Sequence, residues 1–276
     1  MGAACCSKRT DIWRLCVRRI LLRISYDGTG YVGWQKQENG TAVEEVINRA
    51  LKELTGEDIR VIGASRTDSG VHALDNVAVF DTESKIPADK FSFALNRYLP
   101  GDIVIQSSRE TDPDFHPRYA DCRKTYEYSI YNAPHNNPLL DGYSFFVHNI
   151  LDTEAMRKAA DCLTGEHDFA SFCSSGAQVK TTIRKVYSID IEEQPVIFGG
   201  ERNDTFTPRL IIIRINGNGF LYNMVRIIAG TLIEAGKGLI APDSVKDILG
   251  SCDRACAGPT APARGLVLKE ISYLCS

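Results

Sequence analysis

Polar and apolar residues alternate in Ile20-Leu21-Leu22-Arg23-Ile24-Ser25-Tyr26, which predicts a first strand over Arg19–Tyr26. The period then changes. Between Thr41 and Leu54 the apolar residues Val43, Val46, Ile47, Ala50, Leu51 and Leu54 recur at helical spacing, and Thr41 with Glu44 has the spacing of a capping box. A second strand ends near Gly63 and a third covers Asn76 to Asp81. A helix over Ala88–Tyr98 starts after Pro87 and stops before Pro100, and a strand follows over Ile103–Ser107. This order, βαββαβ, is the split pattern of a ferredoxin-like unit.

The second half repeats the element order without repeating the sequence. Strands are expected over Thr125–Tyr131, Val179–Glu192, Leu210–Asn216 and Gly265–Tyr273. Helices are expected over Asp152–Leu163, with Met156, Ala159, Ala160 and Leu163 inward, over the apolar stretch Phe220–Ala235, and over Pro242–Leu249. Residues 199–208 read as a polar loop between two strands. The pattern thus predicts an α+β chain with an N-terminal tail over 1–18, one ferredoxin-like half over 19–112 and a second over 113–276. Placed edge to edge, two such sheets leave a cleft between them, where sites commonly lie.

Between the second and third strands stands Ala64-Ser65-Arg66-Thr67-Asp68-Ser69-Gly70-Val71-His72-Ala73, flanked by the apolar runs Ile59–Ile62 and Val77–Phe80. Asp, Ser and Gly favour turns for local backbone reasons. The same loop can instead hold Asp68 as a nucleophile or base, with Arg66 as the cation that keeps it ionised. Two other patterns fail on inspection. Gly28-Thr29-Gly30-Tyr31-Val32-Gly33 has dinucleotide-site spacing but no helix opens directly after it. Asp27 lacks the second aspartate of an aspartyl-phosphate site, because Ser25 occupies that position, and reads as a turn residue. His72, His116 and His167 form no triad of readable order with the cysteines and aspartates. Tyr126 and Tyr128 share a strand face, for packing or for stacking on a base. Arg226 sits among Met224, Val225, Ile227 and Ile228, so its charge must snorkel outward or find a carboxylate, for which Asp68 is the candidate.

Composition narrows the classes. At 276 residues, with 43% hydrophobic and 24% charged positions, the chain is an ordinary globular protein with no apolar run long enough to span a membrane. A net charge of −3 argues weakly against non-specific nucleic-acid binding and points to local patches, at Arg14, Arg18, Arg19 and Arg23 or at Arg118, Arg123 and Lys124. Nine cysteines with no metal-ligand spacing and no convincing secretory signal fit free thiols in a reducing compartment, and predict no metal site. Met1-Gly2-Ala3-Ala4-Cys5-Cys6 departs from a myristoylation signal at Cys6, and the arginines after it could belong to a presequence; a tail or an upstream start codon is the simpler reading.

Four segments in fixed order change the picture: Arg66-Thr67-Asp68-Ser69-Gly70-Val71-His72, Arg123-Lys124-Thr125-Tyr126-Glu127-Tyr128, Gly217 to Arg226, and Pro262-Ala263-Arg264-Gly265-Leu266, with Gly165-Glu166-His167-Asp168-Phe169 between them. With these segments the chain resembles the tRNA pseudouridine synthase A family from about Arg19 to Tyr273. The resemblance implies a continuous, mostly antiparallel central sheet with helices on one side and a cleft between the halves. It implies a cytoplasmic isomerase that converts uridine to pseudouridine at positions 38, 39 and 40 of the tRNA anticodon stem-loop, without a cofactor, as a homodimer. On matching positions it implies Asp68 as the essential carboxylate, Arg226 as its partner, Arg66 on the phosphate backbone, Tyr126 on the uracil and Leu266 as an apolar wall. A silent RNA binder of the same fold, a hydrolase using Asp68 and His72, and a synthase with another RNA target are the alternatives.

Overall fold

The structure, a computed structural model, describes residues 17–176, 179–196 and 207–274. Ten strands form one sheet: β1 Arg18–Tyr26, β2 Ile62–Gly63, β3 His72–Thr82, β4 Ile103–Thr111, β5 Cys122–Asn132, β6 Phe145–Val147, β7 Gly165–Asp168, β8 Ile183–Pro195, β9 Arg209–Gly217 and β10 Leu266–Tyr273. The α-helices are α1 Val43–Thr55, α2 Phe91–Leu95, α3 Thr153–Asp161, α4 Met224–Gly236 and α5 Ser244–Ser251. The main path across the sheet runs β4-β1-β3-β10-β5-β9-β8-β7, with β2 beside β3 and β6 beside β5.

Both halves follow the expected pattern. In the first, β1 lies antiparallel between β4 and β3, and β2 pairs with β3. In the second, β5 lies antiparallel between β10 and β9, and β8 pairs with β9. β2 is only two residues long, Ile62 and Gly63 against Val79 and Ala78, so the start of β3 keeps a free edge. The last strand of the chain takes it: Val267 and Leu268 pair in parallel with His72 and Ala73. The two halves therefore join beside the loop that precedes β3.

The period-2 pattern of β1 places Ile20, Leu22, Ile24 and Tyr26 in the core. Val43, Ile47, Ala50 and Leu51 of α1 are buried too, and Phe80 of β3 meets Phe91 of α2 edge to face at 5.3 Å. α4 is buried along most of its length, as its nearly uninterrupted apolar sequence requires. Among the described residues, no helix is long and apolar enough to cross a membrane.

Several boundaries moved. α1 starts after Ala42 and not at Thr41; the Glu45 carboxylate, not that of Glu44, accepts the Ala42 N–H at 3.2 Å. Glu44 instead accepts the N–H of Lys36, a loop contact that spacing does not reveal. The helix expected over 88–98 is one 3-10 turn followed by five α residues, and the one expected from Phe220 begins at Met224. β6 and β7 had no expectation, being too short to display a period. Residues 1–16 of the tail and most of the 199–208 loop lie outside the described residues.

Candidate active site

The loop between β2 and β3 is fastened to distant parts of the chain. Its carbonyls bind cations at the start: Arg118 Nη2 donates to Gly63 O at 3.1 Å and Lys124 Nζ to Ala64 O at 2.9 Å. Asn76 Nδ2 donates to Ser65 O, the Trp34 N–H to Thr67 O, and the Gly70 N–H to Tyr31 O. Two hydroxyl pairs lock it from the sheet, Tyr26 with Thr67 at 2.7 Å and Tyr126 with Ser65 at 2.8 Å. The Gly28–Gly33 segment braces it from the side. A Cβ on Gly28 would stand 2.0 Å from Val71 O, and one on Gly33, whose φ is +109°, would stand 2.5 Å from Thr67 O. Two of the three glycines that mimic a dinucleotide motif, Gly28 and Gly33, serve this close packing, while Gly30 faces open space.

Asp68 sits in this loop with its side chain 20% exposed, and Arg226, on the first turn of α4, faces it with Nη1 3.9 Å from Asp68 Oδ2. The sequence left Arg226 between snorkelling and pairing; the buried carboxylate decides it. Arg226 Nε donates to Ala261 O at 2.8 Å and Nη1 to Asn223 Oδ1 at 2.8 Å. Burial raises the Asp68 carboxyl to about 6, and the Arg226 charge opposes that rise without cancelling it. The cation beside Asp68 is thus Arg226, the partner that the resemblance implied, and not its sequence neighbour Arg66.

Tyr126 lies in the core side of β5, 6% exposed, with its ring edge to face with Phe220 at 5.3 Å. Burial holds its phenol well above the usual range and the nearby Asp68 charge adds to that, so Tyr126 is a neutral donor or acceptor at ordinary pH. Leu268 of β10 is its cross-strand partner, and Leu266 pairs one step along with Tyr128. Leu266 is 3% exposed and lines a hollow of about 410 Å³ together with Asp27, His72, Asp102, Tyr143 and Arg264. Arg66 is exposed, and Arg118 lies near enough for their charges to oppose each other. Asp68, Arg226 and Tyr126 therefore converge and Arg66 is exposed beside Arg118, whereas the hollow that Leu266 lines is bordered by none of Asp68, Arg226 and Tyr126.

The remaining candidates have other duties. His72 Nδ1 lies 3.1 Å from Asp27 Oδ1 and accepts the Gly28 N–H, so it ties β3 to the Gly28 turn. Burial pushes the Asp27 carboxyl up, but hydrogen bonds from Thr29 and Tyr143 outweigh it and hold the group at about 2. Arg19 pairs with Asp81, Arg23 with Asp75, and Arg18 binds the carbonyls of Ser84 and Ile86, so these described members of the first basic group hold the N-terminal half together. Of the second group, Arg118 and Lys124 grip the loop while Arg123 lies over the Tyr187 ring. Among the described residues no group of three or more His, Cys, Asp or Glu gathers as a metal site would require, and Cys122, Cys162, Cys173, Cys252 and Cys256 are free. Sequence reasoning missed Ser65 and Ala261, which act on partners far away in the chain, and Asn223, whose side-chain bond to Arg226 three residues on depends on its left-handed backbone at the start of α4.

A family model described as tRNA pseudouridine synthase matches residues 23–120 and 159–274. Asp68 lies in the first stretch and Arg226 and Leu266 in the second, while Tyr126 falls between the two. The chain is 48% identical over 257 residues to the tRNA pseudouridine synthase A of Ruminiclostridium cellulolyticum, covering 93% of this chain and all of that protein. It is likewise 48% identical over 257 residues to that of Acetivibrio thermocellus, with the same coverage. It is 46% identical over 258 residues to tRNA pseudouridine synthase A 2 of Clostridium tetani, covering 93% of this chain and 99% of that protein. With the fold, the order of the motifs and these likenesses in agreement, the chain belongs to the tRNA pseudouridine synthase family, enzymes that isomerise uridine to pseudouridine in tRNA.

Proposed function

We propose that Asp68 is the carboxylate that carries the isomerisation and that the substrates are uridines 38, 39 and 40 of the anticodon stem-loop. The observation that supports this reading is the convergence of a sheltered carboxylate, a guanidinium at 3.9 Å and a buried tyrosine anchored to the same loop. The reaction breaks the N1–C1′ bond, turns the uracil and rejoins it through C5, whose proton leaves. It calls for an ionised carboxylate near the sugar or base, a grip on the detached uracil and an acceptor for the C5 proton. Asp68 supplies the first. Tyr126 stacks on the uracil and takes part at C5 directly or through water. Leu266 is the apolar wall against the base. Arg66, exposed at the rim, binds the phosphate backbone around the extruded nucleotide.

Arg226 aims the carboxylate and favours its ionised form against the effect of burial. Above pH 6 Asp68 is mainly ionised, and because the reaction involves no redox change it calls for no cofactor. A homodimer in the cytoplasm, with one tRNA crossing both subunits, fits a chain whose net charge is only −3, since each protomer then lends part of a basic groove.

The test is tritium release from C5-labelled uridine in unmodified tRNA, wild type against Asp68→Asn. Release by the wild type alone, with uridine plus pseudouridine conserved, is the expected result. Release by both proteins would remove Asp68 from the chemistry, and release only from uridines elsewhere in the tRNA would overturn the assignment to the anticodon stem-loop.

A further inference from the structure

Arg226 stops short of Asp68. A guanidinium and a carboxylate free to approach in a sheltered site close to about 2.7–2.9 Å, often through two parallel hydrogen bonds. Here Nη1 remains 3.9 Å from Oδ2, with the two side chains only 18% and 20% exposed. Two acceptors hold the guanidinium back. Ala261 O takes Nε at 2.8 Å, and the Ala261 N–H returns a bond to Arg226 O, so that segment is fixed to α4 at both groups. Asn223 Oδ1 takes Nη1, the same nitrogen that faces Asp68.

Asn223 is itself unusual. It caps α4 at φ +59°, ψ +6°, the left-handed region that favours glycine and that asparagine tolerates better than most residues. Its side-chain amide is used at both ends, since Nδ2 donates to Ser174 Oγ at 3.0 Å. That second bond orients the amide so that its oxygen, and not its nitrogen, meets the guanidinium. A glycine would satisfy the backbone; the side chain is there for something else.

We propose that Asn223 is a positioning residue that tethers Arg226 outside hydrogen-bond reach of Asp68, so that the carboxylate oxygens stay free for the substrate. This rests on the reading of Asp68 and Arg226 given above. A closed pair would bury the reacting oxygens in a salt bridge and weaken them as nucleophile or base. A stand-off pair keeps the electrostatic support and leaves the lone pairs available. The titratable and charged groups that face Asp68 are Arg226 from α4 and the neutral Tyr126 phenol from β5, so at fixed burial the position of Arg226 is the charge that tunes how the carboxyl titrates.

The experiment is a pH profile of kcat and of kcat/KM for Asn223→Gly and Asn223→Asp, with tRNA affinity and thermal unfolding measured alongside. Glycine suits the left-handed backbone, so Asn223→Gly should fold like wild type. Freed from Oδ1, Arg226 closes on Asp68. The acid limb should move down by about one pH unit and kcat should fall about tenfold, while tRNA affinity changes less than about twofold. Asn223→Asp keeps an acceptor for Arg226 and adds a negative charge, so its acid limb should move up. Opposite shifts support the tether. An unchanged profile in Asn223→Gly, or shifts in the same direction in both variants, would overturn it, as would loss of folding in Asn223→Gly. Asp68→Asn serves as the control: if it keeps wild-type turnover, the reading of Asp68 falls and the tether with it, whereas an inactive Asp68→Asn beside a wild-type Asn223→Gly profile removes the tether alone.

Discussion

Asp68 is held in a state that the fold would avoid if it could. Its carboxyl rises from 3.8 to about 6 because burial removes water from the charged form faster than Arg226 replaces it. The folded protein therefore holds this proton more tightly than the unfolded chain does. Between about pH 4 and pH 6 the native state binds more protons, so this group makes stability fall as pH rises through that window and leaves a constant cost above it. The difference amounts to at most about 3 kcal/mol. Asp68→Asn should accordingly unfold at a higher temperature than wild type at pH 7.5, with the gap shrinking toward pH 4.5, while turnover falls by about a thousandfold or more. An unfolding midpoint that drops at pH 7.5 would mean that the carboxylate is a structural anchor. The same group sets an acid limb in kcat/KM centred near pH 6 for the wild type; a profile flat from pH 5 to 8 would contradict it.

At the scale of elements, the loop between β2 and β3 owes its shape to partners outside itself. Tyr26, Trp34, Asn76, Lys124 and Tyr126 come from four different parts of the chain, and each satisfies a polar group of the loop. Such a loop is rigid by cross-linking and not by local propensity. Burial lowers the affinity of the Lys124 amine for its proton, yet its bond to Ala64 O gives the ammonium a fixed task. Lys124→Met should keep the packing of the stem, free that carbonyl and lower kcat with little change in stability at the far edge of the sheet; hydrogen exchange confined to residues 64–71 would register it. Gly33→Ala is more severe. The left-handed φ and the 2.5 Å approach to Thr67 O leave no room, so the variant should lose about 2 kcal/mol or more in denaturant unfolding and most of its turnover. Near-wild-type stability would show that the Gly28–Gly33 brace yields easily.

For the whole molecule, the decisive feature is where the last strand goes. β10 completes the second half against β5 and also meets β3 at His72 and Ala73, four residues after Asp68. One strand thus aligns the half that supplies Asp68 with the half that supplies Tyr126 and Arg226. Charge is arranged on the same principle of local placement. The chain carries a net −3, yet Arg66 and Arg118 lie together at the rim of the site. Binding of tRNA should weaken with added salt despite the acidic total, and Arg66→Gln should flatten the plot of log Kd against log salt by about 0.7–0.9. An unaltered slope, measured by fluorescence titration between low and moderate salt, would place the Arg66 side chain off the phosphates.

Periodicity carried the fold a long way by itself. The alternation in β1, the apolar stripe of α1 and the long apolar run of α4 each report a single dominant neighbour, the core, and such patterns need no knowledge of tertiary contacts. The order βαββαβ of the first half and a similar order with one more helix in the second followed from them, and the ordered motifs marked Asp68, Tyr126 and Arg226. Short β6 and β7, and the early end of α2, escaped because too few residues lie in them for a period to outweigh tertiary context. What only the tertiary structure decided is how those residues bear on one another. It set Arg226, the partner the motifs already suggested, 3.9 Å from Asp68, turned His72 toward Asp27, packed Gly28 and Gly33 of the false dinucleotide motif against the loop and brought the Asn223 amide and Ala261 to the guanidinium. The 3.9 Å separation of Asp68 and Arg226 is a property of atoms far apart in the chain, and the Asn223–Arg226 bond, though local, depends on a backbone angle that no spacing records. A linear pattern records which residues face inward, but not which of them meet there.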